Sequence, residues 1–579
     1  NIATTDQVLD SPTNNFCTLN TSNSSYNNFT AAEGNLKGTG TSGSAAGNSY
    51  GTQSHQKGYF EWLVVSDNEN SRVGIKDADA IVNTEYSGAG NAHTSGGACY
   101  ILEADDGTIR KREGGANAII ATYTALSVDD IGMCAFDIPN QKIWFGRNGT
   151  WFNSGDPANG NGSVYASIDA SLTFIPVFNG DTSGDAILNF GQGSTFSGED
   201  TSGAAATDGN GFGDFYYTPP SGFLTLCSKN LPEPSVVPSD LFNCVLWTGN
   251  ATDDRNITGV GFQPDFTWIK SRGTTNDNLL FDSVRGAGKY MRSNASDSET
   301  SNADTLQAFA SDGFQIGADS RLNTNNDPVV SWNWKAGTSV SGNTTGAGTA
   351  KTYSGSVNTG AGFSIIKYTG NGTANHTIPH NLGGVPEFFM IGSLEDGENW
   401  AAYHKDSHAD PETRMVYIDL GNAPADVDSF INDVAPTSSV TNLGDYSRVN
   451  ENDETFIMYS WRSIYGYSKI GTYMGDGNAS GPYVYLGFRP AYIMVRNISR
   501  GSMTWYIQDN RMGNFENLGS TANQFMQANS EAAQDSPTGV HFHSNGFKVY
   551  TTGTGQNLNG ETFIYMAYAE IPFKYSNAK

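Results

Sequence analysis

His541 and His543, separated only by Phe542, are the two side chains best spaced for metal chemistry. On a strand both imidazoles project from one face, and three copies about a three-fold axis would place six rings around one transition metal. Exposed strand histidines with no metal have the same spacing, so the pair is a candidate only. With 8 histidines in 579 residues, little remains for a catalytic triad or a zinc centre. Acids cluster at Glu103, Asp105 and Asp106, but Asp105-Asp-Gly107 reads as a hairpin turn, where carboxylates are ordinary. A glycosidase needs two acids facing across a cleft, a separation that sequence does not specify. Thr252-Asp-Asp254 and Asp476-Gly-Asn478 carry ligand types for Ca²⁺, and also the usual composition of turns. No phosphate loop, nucleophile elbow or dinucleotide fingerprint occurs in its strand-to-helix context. The expectation is a protein without catalytic residues, not an enzyme, and without cofactors unless Ca²⁺ or a transition metal occupies an oligomer axis.

Elements able to position such side chains are short strands. Charged residues are only 16%, while 68 Gly and 20 Pro supply frequent tight turns, and aromatic residues at 12% argue against disorder. Helical periodicity is confined to 302–310 and 521–533. The fold class expected is all-β, a multi-domain chain of antiparallel sandwiches. A net charge of -27 repels a phosphate backbone. The one basic run, Arg110-Lys-Arg112, reads as a solvated strand edge, so nucleic acid is not an expected partner. No run of 18 apolar residues occurs, so membrane insertion is not expected either. Because residue 1 is Asn, either a leader has been removed or the chain is a fragment of a longer one. Cys17, Cys99, Cys134, Cys227 and Cys244 are odd in number and lack paired spacing, so no disulfide framework is indicated. Cys17 and Cys227 bracket the first domain and would meet only if its end strands pair.

Composition divides the chain into 1–228, a Pro-rich linker at 229–239, a repeat at 240–337, a Gly/Ser/Thr linker at 338–362, and repeats at 363–468 and 469–579. The repeats share a strand ending in an aromatic and a glycine turn: Trp247-Thr-Gly-Asn250, Tyr368-Thr-Gly-Asn371 and Tyr473-Met-Gly-Asp476. Each then has a strand-opening proline, Pro264, Pro386 or Pro490. Two and four residues on lie Phe266 and Trp268, Phe388 and Met390, Tyr492 and Met494, which period 2 places on one core face. Each repeat, at about a hundred residues, is large enough to fold alone, and tandem sandwiches would make a rod.

In the first domain the motifs Lys57-Gly-Tyr-Phe-Glu-Trp62, Val73-Gly-Ile75, Asp130-Ile-Gly-Met-Cys-Ala-Phe-Asp137, Lys142-Ile-Trp-Phe-Gly-Arg-Asn-Gly149, Ile175-Pro-Val-Phe178 and Leu188-Asn-Phe-Gly-Gln192 occur in an order that resembles the SPRY family. Trp62, Trp144, Phe145 and Phe190 are then core aromatics. The resemblance implies a bent two-sheet sandwich that recognises partners through loops at one edge, here 85–97 and 151–156. Within the second, Trp151, Phe152 and Asn153 combine an aromatic face with an amide, which suits carbohydrate. The repeats, and the ending Ala569-Glu-Ile-Pro-Phe-Lys-Tyr-Ser-Asn-Ala-Lys579, resemble tail-fibre and other appendage proteins of tailed phages, especially marine ones. That resemblance implies a virion-surface adhesin, a homotrimer by analogy, whose partners are a host-surface glycan or protein and other virion proteins. A decorating fibre without receptor specificity and a polysaccharide-degrading tailspike are the alternatives.

Overall fold

The computed structural model describes all residues except 1–10, 12, 22–28, 41–46, 67–70, 81–96, 114–115, 181–183, 201, 514–523, 537–538 and 577–579. It is an all-β protein of antiparallel sheets; among the described residues the α-helices are single turns, such as Ser320–Asn323 and Ser447–Asn450. The segment 302–310 is not helical: after a turn, Leu306–Ala310 is a strand paired with Gly313–Ile316. Beyond 523, the segment expected as helix holds the short strand Met526–Gln527.

The chain forms two compact units. The first comprises Asn1–Glu233, Pro482–Gly487 and Phe573–Lys579. One of its sheets runs, in spatial order, through Phe29–Ala32, Lys37–Gly40, Asp185–Asn189, Lys57–Val64, Ile131–Asp137, Lys142–Arg147 and Thr150–Trp151. The other runs through Gly47–Tyr50, Phe174–Gly180, Ser71–Asp77, Cys99–Glu103, Thr108–Glu113 and Ala116–Thr122. This is the sandwich that the SPRY motifs implied, with all six motifs in its strands or the turns that end them. Trp62, Trp144, Phe145 and Phe190 are buried as expected. Arg110-Lys-Arg112 does not lie on an edge: its strand is paired on both sides, Arg112 is buried and Arg110 binds Glu103 at 2.5 Å. The terminal strands do meet, Phe16 opposite Cys227, but that register pairs Cys17 with Leu226 and sends the two thiols to opposite faces. All five cysteines are buried thiols.

The second unit comprises Pro234–Gly481 and Phe488–Pro572. Its three repeats use one topology, a sheet in which the first strand pairs with the last, the last with the second, and the second with the third: Phe242–Thr248, Pro328–Trp334, Phe266–Ser271 and Asn278–Asp282; Phe363–Thr369, Thr455–Trp461, Phe388–Ser393 and Ala401–His404; Ser468–Met474, Thr562–Pro572, Phe488–Asn497 and Trp505–Asp509. Phe266, Trp268, Phe388, Met390, Tyr492 and Met494 do share one core, but it is common to all three repeats. Phe242 stacks on Tyr568 at 4.7 Å, Phe266 meets Tyr459 at 4.5 Å, and Phe388 meets Trp505 at 6.2 Å. The alternating residues Ile269, Phe389 and Ile391 enter local clusters on the opposite faces of their sheets. Sheets covered on both faces explain the uninterrupted apolar runs. The expected rod of separately folding repeats is therefore replaced by one unit with a shared centre. Gly/Ser/Thr-rich 338–362 is no linker either, since Thr338–Asn343 and Thr352–Asn358 form an antiparallel hairpin added to the sheet of the second repeat.

Polar contacts hand the repeats on cyclically. Asn278, first in the third strand of repeat one, donates through Nδ2 to Gln527 O of repeat three at 3.0 Å. Trp505, at the same position in repeat three, donates through Nε1 to Tyr417 O of repeat two at 2.8 Å. Trp400, one residue before that strand in repeat two, donates to Arg292 O of repeat one at 2.8 Å. The last residues of these strands close the ring in the other direction: Asp282 accepts from Tyr459 Oη (2.7 Å), His404 faces Tyr565 O (3.4 Å), and Asp509 accepts from Trp332 Nε1 (2.8 Å).

Within each repeat a buried asparagine ties the glycine turn to the approach of the last strand. Asn323, Asn450 and Asn557 accept from the N–H of Asn250, Asn371 and Asp476 at 3.0, 2.9 and 2.8 Å. Their amide groups donate to Thr252 and Gly317, Thr373 and Gly444, and Asn478 and Thr551 carbonyls. The turn glycines fit only without a side chain, because a Cβ on Gly249, Gly370 or Gly475 would come within 1.9, 2.2 or 2.3 Å of a backbone oxygen. Replacing Asn450 by Ala strands one buried N–H and two carbonyls, so we expect a loss of about 2–4 kcal/mol in denaturant unfolding of the full chain. A change within experimental error would show the clamp to be dispensable.

Candidate functional site

The three residues singled out for binding lie on the first unit, where the Asn148-Gly149 turn returns the chain into Thr150–Trp151. Asn148 adopts φ 47° and Gly149 φ 77°, as a tight hairpin requires, and Asn148 Oδ1 accepts from Ile131 N at 2.8 Å. Immediately after Trp151 the backbone turns again, with Asn153 at φ 55° and Ser154 at φ 52°. Two consecutive non-glycine residues in the left-handed region are strained, and such strain persists where surrounding structure over-determines it. Here Asn153 Nδ2 donates to Ser163 O at 3.0 Å, and the loop beyond is closed by reciprocal Asp156–Asn161 backbone bonds.

Trp151 and Tyr217, both half-buried, form a shelf on the cluster around Tyr59, whereas Phe152 and Tyr123 pack on the separate core between the two sheets. Phe152 stacks on Tyr123 at 4.7 Å with planes 3° apart, and Trp151 meets the edge of Tyr59 at 6.1 Å. Tyr217 packs on the same cluster as Trp151 and covers Gly149, whose added Cβ would lie 3.0 Å from its ring. Asn153 is exposed beside them. Loop 85–97, the other expected recognition loop, lies outside the described residues apart from Gly97.

Glu61 supports this shelf from beneath. Its carboxylate is wholly buried and accepts from Tyr59 Oη (2.7 Å), Tyr217 N (2.8 Å) and Tyr216 N (2.9 Å), which fixes both the ring under Trp151 and the loop carrying Tyr217. Burial pushes its pKa up to about 7, with these hydrogen bonds and Asn189 pulling the other way. Tyr123, Tyr217 and Glu61 were not among the expected site residues. A carboxylate inside the apolar run Lys57–Val64 was the available signal, because such a group must find buried donors.

His541 and His543 do share a face of Val540–His543, a strand paired with Gly546–Val549. Their surroundings oppose a cation. His541 is buried against the Tyr550 ring at 4.6 Å. Burial lowers both imidazoles, and His543 falls to about 4 with the positive charges of Lys548 and Arg489 adding to the effect. Among the described residues no three His, Cys, Asp or Glu side chains converge. Of the Ca²⁺ candidates, Asp476 Oδ1 accepts from Asn478 N and from the clamp residue Asn557, and Asp253 Oδ1 accepts from Asp254 N and Gln307 Nε2. These oxygens are spent on turns.

A family model described as a domain of unknown function (DUF7483) matches residues 237–572, more than half of the chain and all three repeats. No curated protein matches. Solved structures similar to this chain include the SPRY domain of human HERC1, at 14% identity over 31% of this chain and 95% of that one with a TM-score of 0.20. The TRIM65 PSpry domain matches at 11% identity over 30% and 88%, with a TM-score of 0.21. Carbohydrate-binding module CBM66 from Bacillus subtilis matches at 12% over 28% and 89%, with a TM-score of 0.20.

Glu61 makes stability depend on pH. Unfolded, the carboxyl titrates near 4.5, and folded at about 7, so between these values the folded chain holds a proton the unfolded chain has released. Its contribution is greatest below pH 4.5 and falls as pH rises through 7, by on the order of 3 kcal/mol. Unfolding curves of the full chain and of Glu61→Gln between pH 5 and 8 should diverge, the unaltered protein losing stability relative to the variant as pH rises. Parallel pH dependences would exclude this assignment.

Proposed function

The chain belongs to the DUF7483 family, and from that premise we propose that it is a virion appendage protein of the tail-fibre kind whose N-terminal sandwich binds host-surface carbohydrate without cleaving it. The observation that carries the reading is the shelf of Trp151 and Tyr217 beside a strained turn that exposes the amide of Asn153, with Phe152 stacked on Tyr123 in the neighbouring cluster. Aromatic faces take up the apolar CH surfaces of a sugar ring, and an amide serves its hydroxyls as donor and acceptor. Rings held by Tyr59, Glu61 and the adjoining loop lose little conformational freedom on binding, which favours affinity. The sandwich supplies the rigid base, and the surface loop supplies the contacts.

The virion setting rests on the resemblance of the repeats and of the chain's final residues to phage appendages. An acidic chain suits an exposed position in salt water, and attachment through other virion proteins belongs to the same reading. Binding to surface polysaccharide from susceptible hosts, presented on an array, should be detectable with the full chain. Trp151→Ala should weaken it at least tenfold, about 1.4 kcal/mol or more, while leaving the melting transition of residues 234–572 in place. Failure to bind polysaccharide from any susceptible host would refute carbohydrate recognition, and release of reducing ends would refute binding without cleavage.

A further inference from the structure

A polar concavity lies in the other unit, on the hairpin at 338–358. Cross-strand pairs Ser339–Ser356 and Ser341–Ser354 alternate with Val340–Gly355. Val340 packs against the apolar cluster of the second repeat, so period 2 turns all four serines to the other face. They line a groove of about 650 Å³, together with Asp265, Ser283 and Lys335. That volume is in the range of small-ligand sites.

The two charges in the groove have different roles. Asp265 is buried and satisfied: Oδ1 accepts from Ser283 Oγ (2.7 Å) and Ser356 Oγ (3.2 Å), and Oδ2 from Ala336 N (2.9 Å). It positions the wall. Lys335 is half-exposed, with its ammonium 6.0 Å from the Phe262 ring, and among the described residues no carboxylate forms an ion pair with it. In a chain with 59 acids and 32 bases, a cation left without a carboxylate at the edge of a serine-lined groove is available to a ligand. Each serine hydroxyl both donates and accepts, as sugar hydroxyls do, and same-face strand spacing sets the four on a grid of roughly 4.8 by 6.7 Å.

We propose that this groove binds an acidic saccharide, with Lys335 holding its carboxylate or sulfate group and Ser339, Ser341 and Ser354 its hydroxyls. The site lies on different residues from the aromatic shelf and does not depend on it. Calorimetric titration of the full chain with a galacturonic acid trimer, a sulfated disaccharide and a neutral galactose trimer tests the assignment. At least one acidic ligand should bind more tightly than the neutral one, and its affinity should fall with added salt. Lys335→Met should weaken that ligand about tenfold and remove most of the salt dependence, and Ser339→Val with Ser341→Val should weaken it with the fold intact by circular dichroism. Trp151→Ala should leave it unchanged, so that loss of shelf binding and loss of groove binding are told apart. The choice between the galacturonic acid trimer and the sulfated disaccharide identifies which acid is held. Equal binding of neutral and acidic ligands, no binding of either acidic ligand, or a Lys335→Met variant that binds like the unaltered protein would overturn the proposal.

Discussion

Each large sheet between 234 and 572 is apolar on both faces, and such a sheet cannot stand alone in water. One face of every repeat meets the others through Phe242, Phe266, Trp334, Phe388, Trp461, Tyr492 and Tyr568, and the other lies on its repeat's own local cluster or buried layer. The rest of the unit follows from that demand. Repeats that need a neighbour on the inner face join head to tail, and a head-to-tail contact stays finite only if the rotation closes. Closure after three is visible in the strand-end residues Asp282, His404 and Asp509, each meeting the following repeat. Their chemistry differs while their position does not, as expected where each interface must satisfy a buried polar group at that place.

The asparagine clamps solve a local problem created by the same packing. A turn glycine lies against the carbonyls preceding the last strand, and the buried N–H that follows it has no strand partner. One amide side chain answers that N–H and two further carbonyls, from the end of a single helical turn in the first two repeats. In the first unit Glu61 performs the corresponding task for Tyr59 and the 216–217 loop, at the expense of a carboxyl whose ionisation burial opposes. Rigid support beneath an exposed edge is common to both candidate binding surfaces: Glu61 beneath the aromatic shelf, and Asp265 behind the serine ladder.

Several strands of the first domain and its core aromatics were legible because apolar runs and turn residues determine them locally. Period 2 also located the faces of Phe266, Phe388 and Tyr492 correctly. What it did not convey was the identity of the opposite surface, since a face buried against another repeat reads like one buried against its own sheet. The hairpin at 338–358 was read as a linker because Ser, Thr and Gly dominate loops, and its alternation of serine with Val340 and Gly355 is too weak in hydrophobic contrast to show a period. Asn323, Asn450 and Asn557 lie more than seventy residues from the turns they hold, a distance across which no local rule operates. Trp151, Phe152 and Asn153 could be named because the resemblance pointed to their loop and their residue types suit a sugar, whereas Tyr123 comes beside Phe152 and Tyr217 beside Trp151 only through the fold.

Hydrogen exchange of the full chain carrying Trp334→Ala tests the shared centre most directly. Removing this ring from repeat one should speed exchange in Phe363–Thr369 of repeat two and Phe488–Asn497 of repeat three along with Phe242–Thr248, because all three sheets rest on it. Faster exchange confined to the first repeat would contradict a common core and restore three independent domains.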